Sequence, residues 1–123
     1  MKIILTRDQP RDGVVLGALW HGGVLQCYTR ERVSGVVPNG NWPVDIRYDP
    51  MLNRWAPVID TQTGSHRIHY QEIAQDGIAV SAGPGVNLWG CRQVWSALLD
   101  ALHGAKMSGD RIEITVQAAA CVA

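Results

Sequence analysis

The sequence predicts an α+β fold that is mainly β: a compact β-sheet or barrel-like domain of about seven to eight strands with one helix near residues 91–104. Three observations predict it. Short apolar segments recur through the first two thirds of the chain, each broken by glycine, proline or asparagine. One later stretch changes period: Cys91, Val94, Trp95, Leu98, Ala101 and Leu102 follow helical spacing, with no proline or internal glycine between Gly90 and Gly104. Strict alternation then returns in Arg111–Gln117, where Ile112, Ile114 and Val116 share one face.

The elements follow in order. Residues 2–7 (KIILTR) read as a first strand. Val14–Trp20 and Val24–Thr29 flank His21-Gly22-Gly23, where glycine supplies the positive φ of a tight hairpin turn. Pro38-Asn39-Gly40-Asn41 reads as a turn before a strand at Trp42–Tyr48, and Asp49-Pro50-Met51-Leu52-Asn53 as the next turn. Strands at Trp55–Asp60 and His66–Gln71 flank Thr63-Gly64-Ser65. In the second, His66, Ile68 and Tyr70 share one face, and Arg67, His69 and Gln71 the other. Ile78–Val80 is a further short strand. The helix starts at Cys91 and is expected to stop at Gly104. The apolar tail 118–123 is expected to fray.

With 123 residues, 46% of them hydrophobic, and no low-complexity run, one domain covering 1–123 is expected. Formal net charge is zero and Arg7, Arg11, Arg30 and Arg32 are scattered among acids, which argues against nucleic acid as a partner. No apolar run is long enough to span a membrane. The start, MKIILTRDQPRDG, lacks the apolar core of a signal peptide, so the expectation is cytoplasmic synthesis, with virion association or release to the cell envelope as the route outward. Cys27, Cys91 and Cys121 fit neither a disulfide framework nor a metal knuckle, and a reduced compartment is the simplest reading. The oligomeric state is open.

LWGCRQVW, residues 88–95, carries the candidate chemistry. A cysteine at a helix start faces backbone N–H groups that lack intrahelical partners. They favour the thiolate and can hold an oxyanion. Gly90 permits close approach of a substrate carbonyl, and Arg92 adds positive charge or grips a carboxylate. Among His21, His66, His69 and His103, either His66 or His69 can serve as base if the glycine-rich 72–89 connection folds back. Against this stands packing, because Cys91 lies on the apolar stripe and cysteine is a small hydrophobe. Zinc held by His66, His69 and Cys91, completed by Glu72 or Asp76, is disfavoured because His-x-x-His on a strand splits across two faces. No metal and no cofactor are expected. Cys27 reads as core and Cys121 as incidental. Trp95 belongs to the helix stripe, whereas Trp89 and Trp42 sit at element edges, where exposed aromatics stack on sugars or anchor partners. Asp45, Asp49 and Asp60 show no paired-carboxylate logic.

Arg67-Ile68-His69 on a strand, a glycine-rich loop, then Gly90-Cys91 opening a helix resemble the catalytic signature of the L,D-transpeptidases. There a strand carries isoleucine-histidine and a later Ser-His-Gly-Cys element supplies the nucleophile. The 22 residues from His69 to Cys91 are of the right order. The chain departs from the motif at Leu88, Trp89 and Tyr70, and Arg92 follows the cysteine directly. The whole chain is also similar to a family of small phage and bacterial β-domains of unknown function. Gly17-Ala18-Leu19, Cys27-Tyr28-Thr29-Arg30-Glu31, Pro38-Asn39-Gly40-Asn41-Trp42, Ile68-His69 and Gly90-Cys91 stand here in that family's order.

The resemblance implies a cysteine enzyme acting on peptidoglycan stem peptides through a thioester. Cys91 is the nucleophile, His69 the base, and Gly90, Arg92 and Trp89 the oxyanion and substrate shell. The alternative is a non-catalytic, phage-associated structural or binding module that recognises cell-wall glycan or a phage or lysis protein.

Overall fold

The computed structural model describes residues 1–50, 53–70 and 77–119. The strands are β1 (Lys2–Arg7), β2 (Val14–His21), β3 (Val24–Arg32), β4 (Gly40–Asp49), β5 (Arg54–Thr61), β6 (Gly64–His69), β7 (Ile78–Ser81) and β8 (Ile112–Ala118), with one helix, α1 (Cys91–Met107). They close into a barrel in the order β1-β2-β3-β7-β6-β5-β4-β8. Two seams are parallel, β6 with β7 and β8 with β1; the other pairings are antiparallel. The expected count of strands and the single helix are observed. Among the described residues, no helix is long and apolar enough to cross a membrane.

Local chemistry explains the elements. In β1, Ile3 and Leu5 are fully buried while Lys2 and Ile4 face out, the period-2 alternation of a strand with one wet face. The β2–β3 hairpin turns on Gly22 and Gly23 (φ +58° and +76°), as a two-residue turn with left-handed backbone requires. Registered neighbours carry one inward layer round the barrel: Leu5 opposite Leu19, Leu19 opposite Cys27, Thr29 opposite Val80, and Ile68 opposite Ile78. The short β7 is buried along its whole length, so it is a central strand despite its brevity.

The two ends of the barrel are closed differently. At one end Val37 is fully buried, its N–H donating to Glu31 Oε1 (3.0 Å) and its carbonyl accepting from Arg7 (2.6 Å). Glu31 is buried and ion-paired with Arg7 at 3.2 Å. At the other end, where β6 and β7 finish and β1 and β8 begin, α1 lies across the opening. It approaches β7, β3, β5 and β8, strands from different sides of the barrel, and adds Trp95, Leu98 and Leu102 to the shared core.

Several expectations are corrected. Gly104 does not end the helix, which continues for three more residues to Met107 and stops where Gly109 turns left-handed (φ +79°). Asp110 N–H then bonds the Ala105 carbonyl (3.0 Å), capping a C-terminus that an isolated glycine inside the last turn does not provide. Ala118 is not frayed: it pairs with Arg7, and Ala119 N–H donates to the Arg7 carbonyl at 2.8 Å. Positions 120–123, with Cys121, lie outside the described residues, as do Met51 and Leu52 of the proposed turn and Gln71 of the proposed strand. Trp42 is half-buried, its indole N–H donating to the Pro38 carbonyl (2.7 Å), so it is not an exposed aromatic.

Burial pushes the Glu31 carboxyl up from 4.5, against the pull of Arg7 and of the Val37 N–H. Between 4.5 and the raised value, folding is therefore linked to proton uptake at Glu31. Stability contributed at this position is expected to fall as pH rises from there through the raised value. Thermal unfolding of wild type and Glu31→Gln over about pH 4 to 7 checks this, with Glu31→Gln expected to flatten that part of the profile.

Candidate active-site rim

His69 closes β6 at the end of the barrel that α1 covers. Ile68 registers with Ile78 and points inward, and His69 registers with Ala79, so His69 faces away from the barrel interior. It is nevertheless only 3% exposed, and its Nδ1 is sealed from solvent. His66, two-residue parity apart from Ile68, points to the interior side near the opposite end, with Thr63 Oγ1 3.1 Å from its Nε2. The expectation that the two histidines use opposite faces is met, and His69 is the one at the helix.

The chain reaches Cys91 through a clasped loop. Ser81, at the end of β7, accepts a hydrogen bond from the Trp89 N–H and donates to the Trp89 carbonyl, both at 3.1 Å. Ala82 N–H donates to the same carbonyl at 2.9 Å. These bonds return residue 89 to the end of β7, one strand from His69. Gly90 then turns left-handed (φ +60°), and a Cβ there would stand 2.8 Å from the Ala82 methyl. Only glycine allows this entry into the helix. Among the described residues no side chain hydrogen-bonds the N-terminus of α1, and no acid occupies its first turn, so the helix's own sequence does not offset its dipole there.

Three contacts hold the start of α1 to the end of β6 and to Tyr70 just beyond it. Trp95 is buried, and its indole N–H donates to the Ile68 carbonyl at 2.8 Å. The Tyr70 and Trp95 rings meet edge-on with centroids 4.9 Å apart. The Arg92 guanidinium lies 5.9 Å from the Tyr70 centroid. Cys91 precedes Trp95 by four residues and so shares its helix face. Cys91 is half-buried. Gly90, Cys91 and Arg92 thus open a helix whose start is held to the end of β6, the strand that His69 closes with its side chain turned away from the barrel interior. Trp89, 62% exposed, lies beside that helix start against Gly83, where a Cβ would come 2.4 Å from its indole nitrogen.

The remaining candidates separate clearly. Cys27 is 3% exposed inside the barrel, and burial pushes its thiol up to about 12, which suppresses the thiolate. His21 and His103 are exposed; His21 ends β2 opposite Ile3, at the same end of the barrel that α1 covers, and His103 stands late in α1. Asp45, Asp49 and Asp60 are ion-paired with Lys106, Arg67 and Arg47. Hydrogen bonds from Lys106 and Arg47 hold the Asp45 and Asp60 carboxyls below the usual range. Among the described residues, no group of three or more His, Cys, Asp or Glu could hold a metal ion, and Glu72 and Asp76 lie outside them. A surface concavity of about 420 Å³ opens beside Asp45, Lys106 and Arg111, at the opposite end of α1 from Cys91. Sequence reasoning missed Ser81, Tyr70 and Arg54. Arg54 stacks on Tyr70 and Trp95, at 5.7 and 6.0 Å from their centroids.

Comparison with family models, with curated proteins and with solved structures finds no match for this chain.

Two outcomes follow from this geometry. Brief treatment of the folded protein with iodoacetamide, mapped by mass spectrometry, is expected to modify Cys91 and leave Cys27 unmodified until the protein unfolds. Trp95→Phe, which leaves the Ile68 carbonyl without its donor, is expected to cost about 1–3 kcal/mol in denaturant unfolding and to change the rate of Cys91 alkylation.

Proposed function

We propose that the protein is a cysteine acyltransferase of the L,D-transpeptidase type, acting on peptidoglycan stem peptides. One observation carries the reading: the first turn of α1, with Cys91 in it, is fastened by Trp95 and Ser81 to the strand ends where His69 is buried. On this reading the thiol, the imidazole and the first-turn amides act together at one edge, as nucleophilic catalysis needs.

The chemistry runs in two steps. His69 takes the thiol proton as Cys91 Sγ attacks a stem-peptide carbonyl carbon. The oxyanion so formed is held by N–H groups of the first helical turn. Collapse breaks the C–N bond, and the departing amine takes the proton back from His69, leaving a thioester on Cys91. Water or a second amine then attacks the thioester, restoring the thiol and releasing acid or a new amide. Arg92 grips a substrate carboxylate, and Trp89 offers a face for stacking. A chain with this activity acts at the cell envelope, alone or with phage or lysis proteins.

A second reading has its own observation. Tyr48 and Trp55 are a registered cross-strand pair, 49% and 60% exposed, with rings packed edge-on at 6.2 Å. With Trp89 they favour a module that binds glycan or a protein partner without catalysis.

Incubation with a stem tetrapeptide, followed by mass spectrometry, tests the first reading. An acyl adduct on Cys91 is expected in wild type and not in Cys91→Ala. His69→Ala is expected to slow its formation by about 10²–10⁴-fold. Absence of any adduct with stem peptides and with a thiol-reactive β-lactam would contradict acyl transfer. Quenching of tryptophan fluorescence by glycan strands in that same protein would favour the binding module.

A further inference from the structure

We infer that Asn39 is a self-modification site: its side-chain amide cyclises onto the Gly40 nitrogen and hydrolyses to a carboxylate, which Arg7 then holds at the end of the barrel opposite α1. Asn39-Gly40 is the one Asn-Gly pair in the sequence. Asn39 is exposed and stands just before β4, whose first residue, Gly40, registers with Val116.

The fold supplies two things this reaction needs. Gly40 has φ +143°, and a Cβ there would come 2.9 Å from the Trp42 ring. A side chain that would shield the Gly40 nitrogen is therefore excluded. Arg7 Nη2 donates to Asn39 Oδ1 at 2.5 Å. This donor polarises the amide carbon and faces the oxygen on which negative charge develops when a nucleophile adds. The steps balance with water alone. The Gly40 nitrogen attacks Asn39 Cγ, the Cγ–Nδ2 bond breaks, and the Gly40 amide proton leaves with Nδ2 as ammonia. Water then opens the cyclic imide at either carbonyl, giving aspartate or isoaspartate at position 39. The product changes the ion pairing of this end. Arg7 Nη1 meets the buried Glu31 at 3.2 Å and the Val37 carbonyl at 2.6 Å. Aspartate at position 39 places a second carboxylate on the other nitrogen of the same guanidinium. Isoaspartate instead lengthens the main chain by a methylene at the entry to β4.

The test follows full-length protein at about 37 °C and pH 8 beside a synthetic peptide of residues 36–42, mapping by mass spectrometry the gain of about 1 Da that marks loss of the amide. Asn39 is expected to convert about tenfold or more faster than Asn41, Asn53 and Asn87, which precede larger residues, and no more slowly in the folded protein than in the peptide. Asn39→Gln is expected to remove the change. Asn39→Asp makes the product directly. It is expected to move the Glu31-dependent part of the unfolding profile to higher pH, because a second carboxylate on Arg7 disfavours ionisation of Glu31. Slower conversion in the folded protein than in the peptide, or conversion of Asn39 no faster than that of the other three asparagines, would overturn the site. An unmoved profile in Asn39→Asp would overturn capture by Arg7.

Discussion

One indole N–H fixes where Cys91 stands. Trp95 is too large to leave the core and too polar at its nitrogen to enter it without an acceptor. The Ile68 carbonyl, 2.8 Å away at the end of β6, supplies that acceptor. This bond sets both the position of α1 on the barrel opening and its rotation about its own axis. Leu98 and Leu102 follow on the same stripe and fill the opening. Cys91, one turn earlier, is carried onto the same face, yet it falls at the rim, where it is half-buried rather than enclosed. The stripe that argues for a core cysteine is what delivers the thiol to the edge.

Two further constraints depend on the closed sheet. Because β6 and β7 are parallel, both end at the same opening, and His69 and Ser81 stand on neighbouring strands there. Ser81 then uses its hydroxyl as donor and acceptor to bring Trp89 back to the strand end. The polar groups inside the barrel serve the opposite end, where Glu31, Arg7 and the backbone of Val37 satisfy one another. Cys27 lies in the inward layer and is silenced by desolvation. The protein holds one thiol where water is excluded and another where it is not, and the difference follows from strand parity and helix position.

Much of the fold was legible in residues 1–123. Period-2 alternation marked the strands, glycine pairs marked the first hairpin, and the change of period at Gly90 marked the helix start. Gly104 reads as a stop by composition, but the helix carries this exposed glycine and ends on the left-handed turn at Gly109. Closure of the sheet was less legible, since the pairings of β6 with β7 and of β8 with β1 join segments whose partners no local pattern announces. The two residues of the proposed chemistry, His69 and Cys91, each carry a local signal in the sequence. Their support does not. Tyr70, Ser81 and Arg54 act through contacts between elements far apart in sequence, and a lone arginine before a strand tryptophan has no signature of its own.

The central proposal is that the helix amides and the His69 imidazole activate Cys91. The pH dependence of Cys91 alkylation in folded wild type and His69→Gln measures this most directly. The account requires a wild-type midpoint below the ordinary thiol value of about 8.5, and a rise toward that value when His69 is replaced. A midpoint at or above it, unmoved by the substitution, would mean that Cys91 is placed by packing alone.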